Sequence, residues 1–158
     1  MADERIYDRA LGLLAVREHS RAELRNKLRH KGFSSTAIDA VLVQLTDTGT
    51  LSDARFIEVY VRSRAVKGYG PNRIQLELSE RGIESGVAQD YLSQAEIDWQ
   101  SHIAKAWRKR FSALPEDFTA TRKQQQYLYN RGFSTEMIKA WFERLSAEEV
   151  LDSYSQSV

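Results

Sequence analysis

The side chains able to do chemistry are few and scattered. The three histidines, His19, His30 and His102, form no HxxxH or HExxH pair that would set two ligands on one helix face, and they read as surface or boundary residues. The chain has no cysteine, which removes thiol catalysis, disulfides and any Cys-ligated zinc or iron–sulfur site. Lys67-Gly68-Tyr69-Gly70-Pro71 resembles a glycine-rich phosphate loop only superficially. It lacks the Gly-Lys-Ser/Thr ending of a P-loop and the third glycine of a dinucleotide fingerprint, and it joins two helical segments instead of following a strand. The carboxylate pairs Glu116-Asp117 and Glu148-Glu149 read as solvated charge, not acid–base machinery. These patterns point to no enzyme, no metal site and no cofactor.

Charge is the more informative chemistry. The 23 Lys+Arg nearly cancel the 22 Asp+Glu, so the chain carries no global polyanion-binding signature. Locally the signs separate. Arg17 to Lys31 holds six basic residues against two acids, Arg55 to Arg73 holds five against Glu58 alone, and Lys105, Arg108, Lys109 and Arg110 form a third cluster. Glu84 to Asp98 holds four acids and no base. Three basic clusters in corresponding places suggest a binding flank, although solvated helix surface accounts for any one of them.

The elements that carry these clusters follow from an internal repeat. Gly32, Gly82 and Gly132 lie fifty residues apart, as do Leu28, Leu78 and Leu128. Each glycine follows a basic residue (Lys31, Arg81, Arg131) and precedes an apolar one (Phe33, Ile83, Phe133). Beyond each glycine, offsets of 0, 3, 4 and 7 recur in Ile38, Val41, Leu42 and Leu45, in Ala88, Tyr91, Leu92 and Ala95, and in Ile138, Trp141, Phe142 and Leu145. That spacing is one face of an α-helix.

Three helices per repeat are expected. The first begins near Ile6, Phe56 and Ile103, with Phe56, Val59, Tyr60 and Ser63 at helical spacing and Phe56, Val59 and Tyr60 on the face away from Arg55 and Arg62. The second opens on the Ser20-Arg21-Ala22-Glu23 capping box, or on Pro71 in the first turn, and stops at the repeating glycine in left-handed conformation. The third follows Ser34, Glu84 and Ser134. The third repeat carries an extra loop, Phe111 to Thr121, around Pro115. Trp107, Trp141, Phe142 and Tyr91 fall at core positions. The expected fold is all-α, three tandem three-helix repeats (1–49, 50–99, 100–150) stacked into an elongated curved array, with a tail at 151–158.

Composition sets the outer bounds. Apolar residues make up 42% of 158, enough for a packed core, and no apolar stretch approaches the ~20 residues of a membrane span. The polar start Met1-Ala2-Asp3-Glu4-Arg5 has no signal-peptide pattern. A soluble cytoplasmic monomer is expected, with no membrane contact. Two classes of function fit: an interaction protein lying along a large charged protein surface, and a helix-turn-helix-like nucleic-acid-binding protein acting directly on DNA.

Leu51-Ser52-Asp53-Ala54-Arg55-Phe56, Ser63-Arg64, Lys67 to Ile74, Glu77-Leu78 and Arg81-Gly82-Ile83 together closely resemble the RecX family of recombinase regulators. Arg9-Ala10-Leu11, Ser20 to Leu24 and Asp98-Trp99 are similar too, so the resemblance spans nearly the whole chain. It implies a bacterial, non-enzymatic, cofactor-free modulator of RecA that lies in the groove of the RecA–DNA filament. Such a protein mainly inhibits recombinase, ATPase and co-protease activity, in DNA repair, recombination and the SOS response, with possible weak direct DNA binding. Motif and charge together single out Arg55, Arg62, Arg64, Lys67, Tyr69 and Arg73 as partner-binding residues, supported by Arg25 and Lys27. A structural role competes: Arg55 has Asp53 and Glu58 in reach, and Gly68 and Gly70 can serve turn geometry alone.

Overall fold

The computed structural model describes residues 2–156. Among them the regular structure is helical throughout: α1 (Ala2–Val16), α2 (Arg21–His30), α3 (Ser35–Asp47), α4 (Asp53–Val66), α5 (Pro71–Glu80), α6 (Ser85–Gln94), α7 (Trp99–Arg110), α8 (Phe118–Asn130) and α9 (Thr135–Ser155). The helix starts are chemically specified. Ser20 accepts from the Glu23 amide while the Glu23 carboxylate accepts from the Ser20 amide, the reciprocal capping box. Ser34, Asp98, Asp117 and Ser134 cap α3, α7, α8 and α9 in the same one-sided way. Pro71 opens α5, where its missing N–H costs nothing.

The stops share one device. Gly32, Gly82 and Gly132 have φ of +88°, +79° and +100°. At Gly82 and Gly132 the glycine amide bonds the carbonyl three residues back, and the next amide bonds the carbonyl five back (Ile83 to Leu78, 3.0 Å; Phe133 to Leu128, 3.2 Å). That pair of bonds is a Schellman ending, in which the residue after the glycine folds back over the last turn. It explains why an apolar residue follows Gly82 and Gly132. Phe133 and Leu128 are both fully buried, and each contributes roughly 1.5–3 kcal/mol of transfer free energy.

The chain packs as two compact units, Met1–Arg62 with Gln75–Gln94, and Ser63–Ile74 with Ala95–Val158. In the first, Ile6 and Ala10 of α1 meet Leu24 and Leu28 of α2 and the full α3 stripe of Ile38, Val41, Leu42 and Leu45, all closed to solvent. In the second, Ile103 and Trp107 pack with Leu128, Phe133, Ile138 and Trp141. Buried Gln124 accepts from the Trp107 indole at 2.7 Å and donates to the Ala113 carbonyl at 3.1 Å, which ties down the segment between α7 and α8.

Four expectations are corrected. His19 is buried, not a surface residue, and both of its ring nitrogens have partners, the Arg17 carbonyl and Lys27 Nζ. Val59 is about half exposed; α4 turns Phe56, Ile57 and Val61 inward, so the core stripe runs one position off the expected one. The extra loop of the third repeat closes at Asp117, whose cap starts α8 at Phe118. Tyr91 is partly exposed, whereas Trp107 and Trp141 are buried and Phe142 packs partly buried against their core, as their spacing indicates.

Candidate partner-binding surface

The most distinctive side-chain cluster lies in the second unit, around Tyr69. Helix α4 ends on Gly68 at φ +89°, with Gly68 bonding the Ala65 carbonyl and Tyr69 bonding the Arg64 carbonyl at 3.1 Å. This is the same Schellman ending, but the residues it brings together are Tyr69 and Arg64 instead of two aliphatics. The apolar clasp becomes a cation–π contact, the Arg64 guanidinium lying 3.8 Å from the ring centroid. Arg131 lies 4.1 Å from the same centroid and Arg73 5.2 Å from it. One half-buried phenol ring thus gathers three guanidinium groups.

Arg131 is held there by backbone. Its Nε donates to the Gly68 carbonyl at 3.1 Å and its Nη2 to the Lys67 carbonyl at 2.7 Å. Those carbonyls lie just past the last turn of α4, so a planar fork of donors ties down the helix end. Main chain meets main chain beside it: Gly70 N–H donates to Arg131 O at 2.8 Å and Asn72 N–H to Gly132 O at 2.9 Å. A Cβ on Gly70 would sit 2.4 Å from the Gly132 carbonyl carbon, and a Cβ on Gly132 would sit 2.6 Å from the Arg73 nitrogen. Gly70 is therefore required by this close approach, beyond any turn preference.

The joint recurs one repeat earlier, inside the first unit. There Ser20 Oγ donates to the Arg81 carbonyl at 2.6 Å, and a Cβ on Gly82 would fall 2.2 Å from the Ala22 Cβ. The Arg81 guanidinium lies 4.8 Å from the Tyr60 centroid. In both units, the start of one repeat's second helix docks on the glycine end of the next repeat's second helix. Arg81 and Arg131, the basic residues before those two glycines, are part of the joint. Arg131, absent from the residues singled out by sequence, carried this signal in its place within the repeat.

The eight sequence-derived residues divide between the units. Arg64, Tyr69 and Arg73 come together as described, and exposed Lys67 adjoins them on the same loop. Arg25, Lys27, Arg55 and Arg62 belong to the first unit, and each is tied to a different group. Arg25 pairs with Asp39 at 2.8 and 3.3 Å; this hydrogen bond lowers the Asp39 pKa and raises that of Arg25. Lys27 Nζ lies 2.8 Å from His19 Nε2 while His19 Nδ1 faces the Arg17 carbonyl at 3.0 Å, so the neutral ring donates from Nδ1 and accepts at Nε2. Burial, reinforced by Arg17 and Lys27, lowers the His19 pKa. Arg55 pairs with neither Asp53 nor Glu58. It binds Glu18 and donates to the Gly49 and Thr50 carbonyls at 3.0 Å each, closing the α3–α4 turn. Arg62 pairs with Glu58 one turn back at 3.1 Å and remains largely exposed.

Family models for the first, second and third three-helix domains of RecX match residues 7–45, 52–92 and 96–142. The chain belongs to the RecX family. It is 41% identical over 140 residues to the regulatory protein RecX of Halorhodospira halophila, spanning 88% of this chain and 87% of that one. It is 45% identical over 130 residues to RecX of Pseudomonas fluorescens strain SBW25, spanning 82% and 84%. The crystal structure of RecX from Lactobacillus salivarius superposes with a TM-score of 0.80 at 25% identity, covering 92% of this chain and 97% of that one. A second crystal structure, of a regulatory protein RecX, shares the fold with a TM-score of 0.77 at 22% identity, covering 90% of this chain and 73% of that one. Three tandem three-helix domains are thus the RecX plan, and this chain follows it.

Proposed function

We propose that this protein binds RecA in the groove of the RecA–DNA filament and inhibits its recombinase, ATPase and co-protease activities, as a cytoplasmic monomer with no turnover of its own. The observation that carries the reading is the match of one chain to all three RecX domains in order, together with relatives named regulatory protein RecX. Basic side chains spread over tandem repeats suit such a partner physically. Each exposed ion pair is worth about 1 kcal/mol or less, but contacts on one chain add as avidity along a repeating filament.

Within the proposed surface the residues divide by task. Arg62 and Lys67 are exposed and reach the partner; Arg25 and Lys27 supplement them from the first unit. Arg64, Tyr69 and Arg73 present the loop that carries Lys67, and Arg55 holds the α3–α4 turn, so these four act chiefly by positioning.

The test is RecA's DNA-dependent ATPase and strand exchange titrated with this protein and with its R62E/K67E variant. The parent should inhibit both without hydrolysing ATP itself. The variant should inhibit several-fold less and associate more slowly, with a weaker salt dependence, because exposed charges act mainly on encounter. Its melting temperature should scarcely move, since exposed substitutions cost within ~0.5 kcal/mol. Normal RecA kinetics in excess protein would overturn the reading and favour direct nucleic-acid binding.

A further inference from the structure

The second unit contains a cleft of about 360 Å³ between the end of α4, the middle of α7 and the end of α8. That volume falls in the range of ~300–1,000 Å³ usual for small-molecule sites. Six of its lining residues are basic or titratable nitrogens: Lys67, His102, Lys105, Arg108, Lys109 and Arg131; no carboxylate lines it. Its floor is different in character. Ala65 and Ala106 are buried there, and the Tyr127 ring, stacked edge-on against Phe111, forms one wall.

The charges are unneutralised locally. Among the described residues no ion pair engages Lys67, Lys105 or Lys109. Arg131 is fixed by the Lys67 and Gly68 carbonyls, which anchor its guanidinium but leave its charge uncancelled. Converging cations crowded beside an apolar floor repel one another, and an anion relieves that repulsion. His102 registers the field. Burial first, then Lys105, lowers its pKa, against the opposing effect of Asp98 and a hydrogen bond to the Ala65 backbone.

We propose that this cleft binds the phosphate of a nucleotide, its basic rim taking the phosphate oxygens while the Ala65, Ala106 and Tyr127 wall receives sugar and base. The same chemistry is offered by a free nucleotide and by a nucleotide within a single strand. The assignment does not rest on RecA binding.

The test follows the His102 imidazole by NMR while the full chain is titrated with ADP, with a ten-residue oligothymidylate, and with inorganic phosphate, at constant ionic strength. Lys105 and Asp98, from α7 and its cap, act on His102 directly, and it shares the cleft with Lys67 from the end of α4, Arg108 and Lys109 from α7, Tyr127 from α8 and Arg131 just after it. A bound anion added to that set should raise its pKa, and its resonances should shift saturably. The exposed pair K105E/K109E should weaken binding at least about tenfold, and K105Q/K109Q by less, with unchanged circular dichroism. Saturation by ADP identifies a free nucleotide as the source, and saturation by oligothymidylate alone identifies a strand. No saturable shift with either, or equal binding by K105E/K109E, would overturn the site. Inorganic phosphate binding as tightly as ADP would overturn the nucleotide assignment, because the wall would then contribute nothing. A chain that binds ADP yet leaves RecA unaffected refutes only the filament reading; one that inhibits RecA but binds neither probe refutes only the cleft.

Discussion

Replacing each repeating glycine by alanine separates backbone strain from close packing, because the three sites share a conformation and differ in surroundings. At Gly32 a Cβ would meet nothing within 4 Å. Only the positive φ of +88° opposes it, which costs about 1–2 kcal/mol. At Gly82 the same strain applies, and the new Cβ would lie 2.2 Å from the Ala22 Cβ, far inside ordinary carbon contact. Overpacking adds roughly 1–3 kcal/mol, for a total of about 2–5. At Gly132 the obstacle includes backbone: besides Arg73 Cβ at 2.3 Å, the Arg73 N lies at 2.6 Å and its Cα at 3.0 Å. Relief there means parting the joint, with its bonds from Gly70 and Asn72 at roughly 1 kcal/mol each, so G132A should be the most damaging. The assay is urea denaturation followed by circular dichroism and by tryptophan fluorescence. All three tryptophans, Trp99, Trp107 and Trp141, lie in the second unit and report on G132A directly. The decisive measurement is the cycle with A22G, which removes the Gly82 obstacle at a helix-propensity cost of up to about 1 kcal/mol. A22G should rescue G82A by about 1–3 kcal/mol of coupling, and R73G should rescue G132A less, since the Arg73 nitrogen stays in place. Equal losses at the three sites, or strict additivity of A22G and G82A, would refute the packing argument.

Further expectations concern single side chains and pH. Arg131→Met removes two charge-assisted bonds to carbonyls and a cation–π contact, and should cost about 2–3 kcal/mol by the fluorescence-monitored urea midpoint; Arg131→Lys should recover little, since an ammonium lacks the fork. Arg55→Ala should lower the circular-dichroism midpoint, whereas R62A should leave it within error, because only Arg55 bridges to a distant carboxylate and two turn carbonyls. His19 and His102 both have folded pKa values below that of the unfolded chain, so the unfolded state binds protons first. Stability should be level above the ordinary histidine pKa and should fall as pH drops from there towards the folded values. The double variant H19Q/H102Q should flatten that slope between pH 7 and 5; an undiminished slope would show that other groups set it.

What the sequence determined by itself is local. Helix ends are written in residues a few positions apart: Ser20 with Glu23, Pro71 in its first turn, and the glycines with the apolar residues that follow them. The 3.6-residue stripe of Ile38, Val41, Leu42 and Leu45 needs nothing beyond its own helix to be recognised, and the fifty-residue interval exposes the repeat. The all-helical architecture of the described residues and family membership follow from such short-range patterns. The tertiary structure decided everything that depends on which distant surface arrives opposite. Gly32 and Gly132 look alike in sequence, yet one faces open space and the other the Arg73 backbone. Arg55 had carboxylates two and three residues away and took Glu18 instead, because the α3–α4 turn brings that side chain and two free carbonyls into one fork's reach. Val59 and His19 exchanged their expected environments for the same reason: helix rotation and burial are set by the neighbours packed against them. Sequence named Arg64, Lys67, Tyr69 and Arg73 and the Lys105 to Arg110 cluster, but not their convergence: Arg131 reaches the end of α4 only in the folded second unit, and cations far apart along the chain then line one space.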